Sequence, residues 1–175
     1  MDTVERPHME ERRTTMFEKF GNFNTYEEIN ATAQGLKNEG DTENLYTLAA
    51  ENGIDKETAQ MYAEGKIPCL CDIQSAAMGK LDIEAAELKT EEIMADWVEY
   101  IKGSIAKDDK LAAAVRNSSK NLKACIAELL KWSFKNAKPM DKDILKAAGV
   151  NQHCTLGIPG MGRAKKIIRE YYSGR

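Results

Sequence analysis

The chain has 175 residues, 42% hydrophobic and 30% charged, enough for one compact domain or two small ones that share a core. It holds no long apolar run and no signal-peptide pattern, which points away from a membrane or exported protein and toward a cytoplasmic one whose four cysteines stay reduced. The net charge of −3 conceals a division: residues 1–118 carry 13 Lys plus Arg against 24 Asp plus Glu, whereas residues 119–175 carry 12 against 4, an asymmetry that suggests nucleic acid or a charged protein as partner.

Residues 1–15 mix both charges without apolar periodicity and read as a loose tail. Phe17, Phe20 and Phe23 then offer anchors onto a core. Residues 16–68 read as a three-helix unit, TYEEINATAQGLKNEG, DTENLYTLAAENG and DKETAQMYAEGK, with Thr25 and Asp41 as N-caps and Gly40, Gly53 and Gly65 as left-handed ends. Leu45, Leu48, Ala49, Gly53, Ile54, Ala59 and Tyr62 reproduce the spacing of a helix-turn-helix. Its second helix, however, opens Asp55-Lys56-Glu57, adds Glu64 and has no arginine, so carboxylates would lie where phosphates should. A packing module or a protein-docking surface fits better than a DNA reader.

Residues 69–175 read as a second, helical domain built around a helix at 119–136. Cys69 and Cys71, with distant His153 and Cys154, match no standard zinc spacing, and no metal or other cofactor is expected. Residues 72–88 suggest one or two short helices around Gly79. Thr90 opens the next helix, with Glu91 and Glu92 in its first turn and a stripe of Met94, Trp97, Val98, Ile101 and Ile105 suited to face the 119–136 helix. A short helix follows at 110–115.

In the 119–136 helix, Leu122, Cys125, Ile126, Leu129, Leu130 and Ser133 share one face, and Trp132 and Phe134 widen it, so that neighbours are expected on both sides. Ser118 or Ser119 serves as its cap, and Lys138-Pro139 ends it. Asp141 starts a short helix that Gly149 stops. In TLGIPGMGRAKKIIREYYSGR, Gly157, Gly160 and Gly162 around Pro159 form a glycine-rich turn before a basic helix at 163–172. Backbone N–H groups at such a helix start, beside Arg163, Lys165 and Lys166, suit a phosphate. The competing reading is a tight turn that docks Ile167, Ile168, Tyr171 and Tyr172 on the core.

The fold class is therefore all-α: an N-terminal three-helix unit packed on a C-terminal helical bundle with a Gly-rich turn and a basic C-terminal helix. The candidate nucleic-acid or partner-binding residues are Lys120, Lys123, Lys131, Lys135, Gly160, Gly162, Arg163, Lys165, Lys166 and Arg169. No catalytic residue is assigned. The only histidines are His8 and His153, and no Walker A, G-x-S-x-G or H-E-x-x-H motif occurs, so the chain reads as a non-enzyme.

Four stretches carry a resemblance: MFEKFG from Met16, ADWVEYI from Ala95, the central NLKACIAELLKWSFKN, and TLGIPGMGRAKKIIREYY. Over residues 16–173 the chain resembles the PcfK-like proteins of conjugative elements and phages, among them type II anti-CRISPR inhibitors of the RNA-guided nuclease. The resemblance implies a non-enzymatic protein of a mobile element that acts in the bacterial host cell by binding a CRISPR nuclease with its guide RNA. Two routes are open: the acidic half mimics DNA in the nuclease's positive channel, or the basic half grips DNA or RNA. An alternative is a conjugation accessory protein that binds DNA or the DNA-transfer machinery, and a third is a helical scaffold without nucleic acid.

Overall fold

The computed structural model describes residues 17–174, and the expected tail at 1–15 lies outside them. The described part is all-helical apart from one two-stranded ladder. Three short helices come first: α1 (Tyr26–Asn38), α2 (Thr42–Glu51) and α3 (Lys56–Ala63). Each starts on a side-chain cap, with Thr25, Asp41 and Asp55 accepting from the backbone N–H of Glu28, Asn44 and Thr58. Each is followed by a left-handed glycine, Gly40, Gly53 or Gly65. Ile29, Ala33, Leu45, Leu48, Ala49, Ile54, Ala59 and Tyr62 form a first apolar cluster with Leu70, Cys71 and Ala76, and Phe20 and Phe23 pack against it as the sequence suggests.

α4 (Ile73–Leu88), capped by Asp72, is one continuous helix rather than two pieces broken at Gly79. Gly79 serves packing instead. A Cβ on it would meet the Asn52 carbonyl oxygen at 2.1 Å, and a Cβ on Gly53 would meet the Gly79 oxygen at 2.3 Å, so the two backbones touch directly. α4 gives Ala76 to the first cluster and Ala77 and Leu81 to the second. It, and not the 119–136 helix, is the element both clusters share.

The remaining elements are α5 (Ile93–Ile105), α6 (Asp109–Arg116), α7 (Leu122–Asn136), β1 (Lys138–Pro139), α8 (Lys142–Ala147), β2 (Thr155–Leu156) and α9 (Met161–Ser173). The stripe on α5 is buried at Trp97, Val98, Ile101 and Ile105, but its main neighbours are α4, α6 and α9 rather than α7. α5 begins at Ile93, after Glu91 and Glu92, and the Thr90 hydroxyl points back to the Ala85 carbonyl rather than capping it. Asn121, not Ser118 or Ser119, caps α7 by accepting from the Ala124 N–H. On α7, Leu122, Cys125 and Leu129 are fully buried, yet Leu130 is 53% and Phe134 79% exposed. The expectation of neighbours on both sides fails: Leu130 lies about 100° around the helix from Leu129, beyond the flank that α4 and α9 cover.

β1 and β2 pair antiparallel, Lys138 opposite Leu156 and Pro139 opposite Thr155, and close an arm that carries α8. Two-residue strands leave no alternation in a sequence. Cys71 and Cys125 are buried, with thiols pushed up to about 12 chiefly by desolvation, while Cys69 and Cys154 are exposed. Among the described residues no helix is long and apolar enough to cross a membrane.

Buried polar groups fix the joint between the clusters. Lys80 donates to the Val115 carbonyl (2.8 Å), the Asn117 carbonyl (2.9 Å) and the Lys120 carbonyl, where α6 ends. One turn on, the Glu84 carboxylate accepts from the Leu122 N–H at 2.9 Å, where α7 begins. The cation thus sits at a helix C-terminus and the anion at an N-terminus, the favourable pairing with both dipoles. Arg116 donates to the side-chain oxygens of Asn22 (3.1 Å) and Asn52 (3.0 Å), tying the end of α6 to the N-terminal unit.

Candidate partner-binding face

α7 and α9 run antiparallel. At one end the Lys120 ammonium donates to the Tyr171 carbonyl (2.8 Å) and the Asn121 N–H to the Tyr171 hydroxyl (3.0 Å). At the other, Gly157 rests on α7 so tightly that a Cβ would meet the Ser133 carbonyl oxygen at 2.4 Å. A helix of 15 residues separates these ends by roughly 20 Å.

The ten sequence-predicted residues therefore do not form one patch. Lys120 and Lys123 sit at the start of α7, and the Lys120 ammonium also lies 4.7 Å from the Tyr171 ring centroid. Lys165 and Arg169 turn toward α5: the Lys165 ammonium stands 5.2 Å from the Tyr100 ring centroid, and Arg169 Nε donates to the Tyr100 hydroxyl at 2.8 Å. Lys166 pairs with Glu170 at 3.8 Å, and Lys131 with Glu128 at 2.6 Å. Lys131 and Lys135 lie in the second half of α7, and Gly160, Gly162 and Arg163 at the start of α9, the two ends that Gly157 joins. Lys123, Lys135 and Arg163 make no ion pair among the described residues.

Gly162 is helical, not part of the turn, and a Cβ on Gly160 or Gly162 would meet nothing within 4 Å. Neither position is held as glycine by the chain's own packing. Gly160 supplies no side-chain cap to the first N–H groups of α9. The competing reading of this stretch, docking on the core, is what the packing shows: Ala164, Ile168 and Tyr172 are buried, with Ile167 and Tyr171 packed beside them.

Periodicity missed what surrounds this end. Lys138, Lys142 and Lys146 on the arm are exposed and unpaired among the described residues. Every exposed large hydrophobic side chain of the described residues lies between positions 130 and 161: Leu130, Phe134, Ile144, Val150, Leu156, Ile158 and Met161. The only signal in the sequence is negative, apolar residues at 144–158 without a helical or alternating period.

His153 and Cys154 lie exposed on the arm, and no cluster of three His, Cys, Asp or Glu able to hold a metal occurs among the described residues. Comparison with protein-family models, with curated proteins and with solved structures gives no match to this chain.

Proposed function

We propose that the chain is a non-catalytic inhibitor that binds a type II CRISPR nuclease, or its complex with guide RNA, in a cell carrying a mobile element. One observation carries this reading: the two signs of charge occupy different parts of the fold. Residues 17–118, which make α1 to α6, hold 20 Asp plus Glu against 10 Lys plus Arg. Residues 130–163, at the far end of α7, hold 6 Lys plus Arg against 2 Asp. A protein with one acidic and one basic region is suited to a partner that presents both a cationic nucleic-acid channel and other surfaces. The four family-like stretches support the same reading.

The test adds the purified chain to a guided-nuclease cleavage assay, with mobility shifts on free DNA and guide RNA in parallel. Inhibition at one chain per nuclease, without binding to bare nucleic acid, is the expected outcome. Undiminished cleavage at excess chain overturns the reading. A second reading, a conjugation accessory that binds transfer DNA, is favoured by the two open glycines at the start of α9, where a phosphate can approach the backbone. It predicts tight binding to bare DNA that weakens steeply with salt.

A further inference from the structure

We propose that the face made by the second half of α7, the arm and the first turn of α9 is a protein-docking surface, and that its occupant is an apolar patch rimmed with carboxylates on the nuclease's protein part. The identity of the occupant rests on the reading above; its chemistry rests on the face itself.

Contiguous exposed apolar surface marks interaction sites, and the exposed large hydrophobic side chains of the described residues all fall in the segment from the second half of α7 to the first turn of α9. Leu130 and Phe134 are one turn apart on the outer side of α7. Gly157 lays the returning chain against Ser133 and Ala137, which sets its exposed neighbours Leu156 and Ile158 along the same stretch of α7, and Met161 follows on α9. Six of the seven side chains are aliphatic or thioether and offer no π-face for a base to stack on, so Phe134 stands alone as a stacking platform. That composition favours protein over RNA or DNA.

Charge sets the partner's sign. Lys131 is paired with Glu128, but Lys135, Lys138, Lys142, Lys146 and Arg163 on the same elements make no ion pair among the described residues, and of the two aspartates there Asp141 is committed to capping α8. Complementarity therefore calls for carboxylates opposite. A second copy of this chain does not supply them next to apolar surface. Its acidic half exposes no large hydrophobic side chain among the described residues, and pairing the face with itself would oppose like charges.

The experiment measures binding of the full chain to guide-free nuclease, to guide-loaded nuclease and to bare guide RNA, and compares it with Leu130→Glu/Phe134→Glu. Leu130→Ala/Phe134→Ala serves as a milder second variant, and thermal unfolding of both checks the fold. Wild-type binding to guide-free nuclease that weakens by about 30-fold or more in the glutamate variant, and in the same direction in the alanine variant, is the expected result. Variants that fold and bind the nuclease as tightly as wild type overturn the proposal while leaving inhibition intact. Affinity that resides in bare guide RNA, or that ribonuclease abolishes, overturns it in favour of nucleic acid. A wild-type dimer in sedimentation that the variants dissolve overturns it in favour of self-association. A wild-type chain that neither binds nor inhibits the nuclease overturns the functional reading and the proposal together.

Discussion

Asp72 shows how a single carboxylate defines where a helix starts. It accepts from the Ser75 N–H at 2.7 Å, and hydrogen bonds from the Ser75 backbone and side chain hold its carboxyl below the usual range. Asp41 and Asp55 are lowered in the same way by Asn44 and Thr58. A carboxyl whose pKa is lower folded than unfolded adds stability above its unfolded value, about 3.9, and loses it as pH falls through the folded value. Asp72→Ala is therefore expected to lower stability by about 1 kcal/mol at neutral pH, with the gap to wild type closing as the pH falls below the unfolded value and through the lowered folded one. Denaturant titrations at several pH values check this, and a gap independent of pH would show that the cap works without its charge.

On α7 two adjacent leucines have opposite surroundings. Leu129 is fully buried in the second cluster and Leu130 is 53% exposed. Leu129→Ala should cost about 2–5 kcal/mol, whereas Leu130→Ala should stay within about 0.5 kcal/mol of wild type. Equal losses at the two positions would mean that the outer side of α7 is covered in solution. This element also marks how far the sequence could be read. The period of α7 placed Leu122, Cys125 and Leu129 inward correctly, since side-chain direction follows from 3.6 residues per turn. Periodicity does not say how wide an arc the neighbours cover, so Leu130 and Phe134 were assigned to contacts they do not make. Similarly, the caps and left-handed glycines of α1 to α3 were legible because they are local chemistry. The continuity of α4 through Gly79 was not, because the reason for that glycine is a backbone 26 residues away in the chain. The candidate site was legible by composition only. Lys131 and Lys165 look alike in sequence, and only the packing of α9 on α5 turns Lys165 toward Tyr100.

Across the whole molecule, the two apolar clusters have little freedom to part. α4 runs through both, Gly53 and Gly79 meet backbone to backbone, and buried Arg116 reaches from α6 to Asn22 and Asn52 in the N-terminal unit. Burial lowers the pKa of Arg116 and Lys80 and raises that of Glu84, so each charge depends on the partners the joint supplies. Pulling the clusters apart would expose these groups and leave α4 with one flank bare, so neither half should persist without the other. Unfolding is therefore expected as one transition. Both tryptophans, Trp97 and Trp132, lie on α5 and α7 and report the second unit, whereas far-ultraviolet circular dichroism reports all the helices. Their denaturation midpoints should coincide. Gly79→Ala, whose Cβ has only backbone to push against, should lower both midpoints together by the equivalent of about 1–3 kcal/mol or more. Fluorescence and dichroism midpoints that separate, in wild type or in this variant, would show that the units around the two apolar clusters unfold as independent bodies, and their fixed relation to one another could not then underlie a single docked geometry.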